Sequence, residues 1–231
     1  MKYLILGGLL VLLAAHPATP DHQSDYLNLC QTIEKNRIAL AEKYVQAENE
    51  VDKNRVLDTA EAYLLTVFQQ KMLPAWMGTP WDFNGISAIP GKGEIACGYF
   101  VSTTLKHAGF ELNRFRLAQQ YSHSIVKSLS LGQEVVVLRN APLEKAVAYF
   151  ESRSENLYVV GLDNHVGFVE RLQGKLFFTH SNYIDREGVV REPLTQSNAF
   201  ASSQTFVIGA VMPQRELLKR WLMKESIPIV T

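Results

Sequence analysis

The stretch from Leu157 to His180 decides the fold of this chain, and it reads LYVVGLDNHVGFVERLQGKLFFTH. It contains three runs rich in Val, Leu and Phe: Leu157–Leu162, His165–Glu170 and Lys175–His180. The pairs Asp163-Asn164 and Gln173-Gly174 separate the runs, and pairs of this kind are typical of tight turns. The stretch therefore predicts three antiparallel strands that follow one another as a meander.

Helical patterns come before this meander. Residues 23 to 72 contain no Gly or Pro, and apolar residues recur there at helical spacing, which predicts two helices with a break near Glu50–Asn54. The segment Pro74–Gly85 is dense in aromatic residues, Pro and Gly, which predicts a loop. Helices first and an antiparallel meander later indicate an α+β fold. The patterns predict further helices over Cys97–His107, Phe115–Leu129, Leu143–Ser152 and 214–224, and further strands over Glu134–Leu138, Val189–Arg191 and Phe206–Val211.

The start of the chain has the pattern of a secretory signal. Met1-Lys2-Tyr3 is followed by an apolar run from Leu4 to Ala15 and by small residues. The run is shorter than the roughly 20 residues of a membrane-spanning helix, although an uncleaved anchor is the alternative. We expect a signal peptide over 1–20, an N-terminal helical region over 21–73 and a main domain over 74–231. The protein would then be exported, periplasmic or extracellular, with no stable membrane span after cleavage.

Charge and composition exclude several function classes. The chain has 23 basic and 23 acidic residues and no Lys/Arg block, so we expect no nucleic-acid partner. The two cysteines do not form a CxxC spacing, and the histidines lack an HExxH spacing. We therefore expect no metal and no organic cofactor.

Cys97 is the candidate nucleophile. It lies between the glycine-bearing loop 91–96 and an apolar helix, where a helix N-terminus lowers the pKa of a thiol. His165 on a following strand is the candidate base. His180 faces it across the Gly174 turn and is the candidate orienting residue, with Asn182 as the alternative.

A non-catalytic function is the alternative interpretation of the same residues. Cys97 is then a core residue or is joined to Cys30 by a disulfide, as an exported protein allows. The aromatic loop around Trp76 and Trp81 would contact glycan or peptide, and the protein would bind the cell envelope without chemistry.

The short motifs of residues 78–182 resemble those of the NlpC-type cell-wall cysteine peptidases. The matching segments are Gly78-Thr79-Pro80-Trp81, Ile95-Ala96-Cys97-Gly98-Tyr99-Phe100-Val101, His165-Val166-Gly167-Phe168-Val169 and Phe178-Thr179-His180-Ser181. The family pattern is G-x-P-Y, D-C-S-G at a helix start, H-V-G-I, and a third polar residue. The resemblance implies a papain-like core with a nucleophile helix on an antiparallel sheet. It also implies cleavage of peptidoglycan stem peptides by Cys97, His165 and His180.

Departures from the family pattern concern the substrate. Ala96 and Gly98 stand where the family has Asp and Ser, which help to hold the free amine of the substrate. Trp81 replaces the Tyr of G-x-P-Y and has no hydroxyl group. We expect substrate contacts from Trp81, Asp82, Asn84 and Gly98, with the carboxylate of Asp82 or of Glu94 as a replacement for the missing one. A thiol amidase or acyltransferase acting on a lipid or on a peptide outside the wall is the alternative.

Overall fold

The computed structural model describes residues 22–133, 135–212 and 214–231, so the predicted signal segment 1–20 lies outside the described residues. It confirms an α+β fold built on a six-stranded antiparallel sheet with the order β1-β6-β2-β3-β4-β5. The strands are β1 Val136–Leu138, β2 Asn156–Gly161, β3 Val166–Leu172, β4 Lys175–Asn182, β5 Gly188–Pro193 and β6 Phe206–Ala210. The helices are α1 His22–Gln46, α2 Glu50–Val67, α3 Leu73–Trp76, α4 Cys97–His107, α5 Arg114–Ala118, α6 Ser122–Ser130, α7 Leu143–Glu151, α8 Asn198–Ala201 and α9 Arg215–Met223. In this described part of the chain, no helix has the length and apolar character needed to cross a membrane.

The predicted meander forms the centre of the sheet. Gly161 pairs with Val166 across the first turn. At the second turn, Gln173 and Gly174 both have positive φ angles, 51° and 72°, as a two-residue hairpin turn that matches the strand twist requires. The sequence therefore predicted both the strands and the turns of this region.

Side chains alternate along each strand, so the sheet has two faces, and both are apolar here. Helices pack on each of them. Val159 and Phe168 point to one face, in a core shared with Phe100 of α4. Val160 and Phe178 point to the other face, in a second core shared with Phe150 of α7 and Phe200 of α8. The helix that begins at Cys97 is thus held against the middle of the sheet.

The N-terminal helices belong to the first of these cores. Ile33 of α1 and Leu64 of α2 are buried in the same cluster as Phe100 and as Trp221 of α9. The break between α1 and α2 falls at 47–49, before the predicted position, because the Asn49 side chain caps α2 by accepting from the Asp52 amide at 2.9 Å.

Pro74 does not end the helical region, which corrects the predicted loop at its first residues. A π-helical turn over Phe68–Met72 joins α2 to α3, and Pro74 is the second residue of α3. Proline has no N–H to donate to the preceding turn, and the wider π-helical bond from the Leu73 N–H to the Phe68 carbonyl lies directly before it. Trp76 is consequently buried, and its indole N–H donates to the Tyr26 hydroxyl at 2.8 Å. Trp76 is therefore not available to contact a glycan or peptide.

The predicted helix over Phe115–Leu129 is two helices, α5 and α6, separated at 119–121. The end of α5 packs its Ala118 carbonyl against Gly98, whereas the start of α6 is tied to the first hairpin turn. There the Ser122 hydroxyl donates to the Leu162 carbonyl at 2.5 Å. The first contact is with the start of α4 and the second is with the hairpin turn of the sheet, so the chain changes direction between α5 and α6 to make both.

Candidate active site

The loop before Cys97 is fixed by hydrogen bonds on two sides. The Ile95 amide donates to the Pro80 carbonyl and the Ala96 amide to the Gly85 carbonyl, both at 2.9 Å. The Ser181 hydroxyl of β4 donates to the Ile95 carbonyl at 2.6 Å. Cys97 therefore enters α4 from a backbone that is held in place by the sheet and by the loop 80–85.

Gly98, the first residue after Cys97, fits its place because it has no side chain. A Cβ atom there would overlap the carbonyl oxygen of Ala118. The family's Ser at this position cannot be accommodated without moving α5. Gly98 lines the same cleft as Cys97, and it presents backbone alone there.

Burial controls the protonation of the Cys97 thiol. Removal from water raises its pKa, and this effect outweighs backbone N–H groups of Val166, Gly98 and Cys97 that favour the thiolate. This direction is opposite to the one that the helix start alone favours. Cys97 is a neutral thiol at rest, with backbone donors already placed for its ionised form.

His165, His180 and Glu192 form a hydrogen-bonded line. The distance is 2.7 Å from His165 Nε2 to His180 Nδ1, and 3.0 Å from His180 Nε2 to Glu192 Oε1. The predicted side-by-side placement of the two histidines is thus confirmed. Both imidazoles are buried, and burial lowers the pKa of each, although Glu192 opposes this effect at His180.

The order of acceptors in this line fixes the tautomers. Burial acts to raise the pKa of Glu192, but the bonds from His180 and Ser197 lower it below its ordinary value, so Glu192 is a carboxylate and only accepts. His180 Nε2 must then donate to it, which leaves His180 Nδ1 as an acceptor. His165 Nε2 donates to that acceptor, and His165 Nδ1 is left with a free lone pair. That lone pair is the one a base needs.

Cys97 and His165 line the same cleft, which has a volume of about 640 Å³. Aromatic and aliphatic side chains form much of its wall: Trp81, Phe83, Ile86, Tyr99 and Tyr183. Its other polar side chains are the neutral amides of Asn84, Gln119 and Asn164. Among the described residues that line the cleft, none is Asp, Glu, Lys or Arg.

Two of the predicted site residues lie elsewhere. Asp82 does not line the cleft, because its carboxylate accepts from the Asn84 amide at 2.8 Å and closes a turn of its own loop. Asn182 does not orient His165. Its side chain donates to Glu187 at 2.8 Å and accepts from the Ile184 amide at 3.0 Å. Trp81 and Asn84 do line the cleft, as predicted.

Sequence reasoning missed Glu192 and Tyr183. The strand predicted over Val189–Arg191 stopped two residues before the end of β5 at Pro193 and so left out Glu192. The pairing of His180 with Val190 places Glu192 two residues further along, on the same face of the sheet as His180. Tyr183 follows β4, and its ring lies 5.1 Å from the His165 ring, centroid to centroid, but no sequence pattern singles it out.

Both cysteines are free thiols, which contradicts the disulfide alternative. Cys30 is partly buried on α1, and burial raises its pKa to about 11. In the three described ranges no group of three or more His, Cys, Asp or Glu side chains is arranged to hold a metal ion.

Comparison with known proteins returned no match: neither protein-family models, nor curated proteins, nor solved structures showed significant similarity to this chain. The site is therefore assigned on the geometry of this chain.

Proposed function

We propose that this protein is a papain-like thiol hydrolase that cleaves amide bonds, with Cys97 as nucleophile and His165 as base. His180 and Glu192 position His165. The line of hydrogen bonds from His165 through His180 to Glu192 carries the proposal, because a core histidine without a function needs no such relay. The resemblance to NlpC-type peptidases suggests stem peptides of the cell wall, whereas Ala96 and Gly98 in place of the family's Asp and Ser favour a thiol amidase that acts on another acyl substrate. The apparent signal segment is consistent with export.

The proposed reaction begins when the substrate carbonyl enters the cleft over Cys97. His165 Nδ1 accepts the thiol proton while the sulfur attacks the carbonyl carbon and forms an S–C bond. Backbone N–H groups at the start of α4 stabilise the oxyanion. The C–N bond then breaks, and the proton on His165 passes to the leaving amine. A thioester between Cys97 and the acyl group remains.

Hydrolysis of the thioester completes the cycle. His165 accepts a proton from water as the water oxygen attacks the thioester carbon, and the S–C bond then breaks. The proton returns to the Cys97 sulfur, and the carboxylic acid leaves. His165 is positively charged only during these steps, so the carboxylate of Glu192 stabilises the transition state more than the resting enzyme.

The test compares cysteine variants on purified muropeptides and on simple amides. Cys97→Ala is expected to abolish hydrolysis and to leave the circular dichroism spectrum unchanged, because it removes the nucleophile and a single sulfur atom. Cys30→Ala is the control and retains the wild-type rate. Hydrolysis by Cys97→Ala at the wild-type rate would rule out the proposed nucleophile.

A further inference from the structure

The side chains that line the cleft over Cys97 are apolar or uncharged, apart from His165 and Cys97 themselves, and this restricts the substrate. We infer that the substrate flanks its scissile amide with uncharged, apolar groups, an acyl chain foremost, and not with the ammonium or carboxylate groups of a peptide end. The inference rests on the proposed thiol hydrolysis and names its substrate class.

The described residues of the cleft wall offer no opposite charge to a charged substrate group. A charged group that enters a cleft loses hydration, and the cost is several kcal/mol unless an opposite charge pairs with it. No described residue that lines this cleft has a charged side chain. The Asp82 carboxylate, on the same loop as Trp81, is bonded to the Asn84 amide and does not reach the cleft.

Two arginines contact residues of the cleft wall but do not line the cleft themselves. The Arg114 guanidinium donates to the carbonyls of Ile86 and Ser87 and to the Thr103 hydroxyl. The Arg186 guanidinium lies over the Trp81 ring, 6.0 Å from its centroid. A substrate carboxylate therefore finds no cation among the described residues that line the cleft, and Arg186, which contacts the ring of Trp81, lies outside that lining.

The cleft wall also exposes apolar side chains to solvent. Phe83 and Ile86 line the cleft, yet they are 78% and 51% exposed to solvent. Each lies in the same wall as Trp81, which contacts Tyr183 at a ring distance of 6.4 Å. A substrate with an apolar chain would cover this surface and gain the free energy of removing it from water.

The experiment uses aminocoumarin amides with a constant leaving group and a varied acyl group. The series comprises acetyl, hexanoyl and decanoyl amides, with an L-alanyl amide carrying an ammonium group and a succinyl amide carrying a carboxylate. We expect kcat/KM to rise from acetyl to hexanoyl by about fourfold for each methylene that the cleft buries. The two charged amides are cleaved more slowly than the hexanoyl amide. Equal rates for acetyl and hexanoyl, or faster cleavage of a charged amide, would overturn the inference.

A matched pair of variants locates the effect. Ile86→Lys places a cation in the cleft wall, and we expect it to remove the preference for hexanoyl over acetyl. Val45→Lys changes an exposed apolar residue of α1, outside the cleft, and retains the wild-type preference. A chain-length preference that survives Ile86→Lys contradicts the placement of the acyl chain.

Binding separates this inference from the proposed function. Calorimetric titration of Cys97→Ala with decanamide measures occupancy of the cleft without chemistry, and we expect saturable binding that Ile86→Lys weakens. Binding without amide hydrolysis by the wild type would defeat the proposed function and support the apolar site. Hydrolysis of charged amides without decanamide binding would defeat the inference alone.

Discussion

At the scale of single residues, the site depends on how a buried imidazole is kept neutral and correctly oriented. The carboxylate of Glu192 accepts from His180 and thereby sets the proton positions of both histidines, leaving His165 Nδ1 unprotonated. Burial lowers the pKa of His165, so the ring is neutral at neutral pH. Glu192 therefore acts on the reaction through two hydrogen bonds, as a positioning residue.

Glu192→Gln tests this positioning role. The amide keeps the shape of Glu192 but loses the charge, and a hydrogen bond to a charged group contributes about 1.5–3 kcal/mol. We expect kcat/KM to fall by about tenfold to a hundredfold, and the acid limb of its pH profile to move. Glu151→Gln, an exposed residue at the end of α7, serves as the control and leaves both unchanged. An unaltered pH profile in Glu192→Gln would contradict the role.

The ionisation of Cys97 gives a second prediction at this scale. Because burial raises the pKa of its thiol, the thiolate fraction at neutral pH is smaller than that of an ordinary cysteine, whose pKa is about 8.5. In a Cys30→Ala background, the rate of iodoacetamide labelling at Cys97 should still be rising above about pH 9.5, where an ordinary thiol is almost fully ionised. A plateau reached below pH 8.5 would mean a resting thiolate–imidazolium pair instead.

At the scale of elements, the hairpin of β3 and β4 carries the two histidines. Gly167 of β3 packs closely against β4: a Cβ atom on it would approach the Phe178 ring at 2.7 Å and His180 Cβ at 2.8 Å. The Phe178 and His180 rings stack with centroids 4.2 Å apart, so Gly167 makes room for this stack. His180 can therefore occupy its position only because residue 167 has no side chain.

Gly167→Ala is expected to displace His180 and to destabilise the protein by about 1–3 kcal/mol, as overpacking does. Activity of the folded variant should fall because the bond from His165 to His180 is strained or lost. Gly209→Ala on β6 is the matched control, since its Cβ would meet the buried side chains of Val126 and Ser130 of α6 at 2.8 and 2.9 Å, away from the two histidines. We expect similar destabilisation there with normal activity. Urea unfolding and kcat/KM together distinguish the two variants.

At the scale of the whole molecule, the N-terminal helices share a core with the sheet. Tyr26 of α1 accepts from Trp76, and its hydroxyl lies 3.0 Å from His107 Nδ1 of α4, the helix that begins at Cys97. Buried residues of α1, α2 and α9 join the same cluster as α4. The helical region and the site-bearing region should therefore unfold together.

Ile33→Ala tests that coupling. Ile33 is fully buried, and removing it should lower the free energy of unfolding by about 2–5 kcal/mol while far-UV dichroism and tryptophan fluorescence still report one transition. Ile38→Ala, on the same helix but 45% exposed, should change the free energy of unfolding by less than about 1 kcal/mol. Two separate transitions in Ile33→Ala would show that α1 and α2 unfold independently.

Local patterns were sufficient to predict most elements of this molecule, and tertiary contacts account for the errors. The alternation and turn pairs of Leu157–His180 specify the meander directly. The end of α5 and the start of α6 depend instead on Gly98 and Leu162, which are distant in sequence. The sequence predicts that Asp82 contacts the substrate. Its carboxylate instead accepts from the backbone N–H of Asn84, two residues later, and closes a turn.

The measurement that tests the central claim most directly is the mass of the enzyme during turnover. Wild-type protein is mixed with an acyl aminocoumarin amide, quenched in acid within one turnover and digested for peptide mass spectrometry. We predict an acyl group on the peptide that contains Cys97, none on Cys30, and no adduct in Cys97→Ala. Amide hydrolysis that proceeds without any acyl group on Cys97, and equally well in Cys97→Ala, would contradict the account.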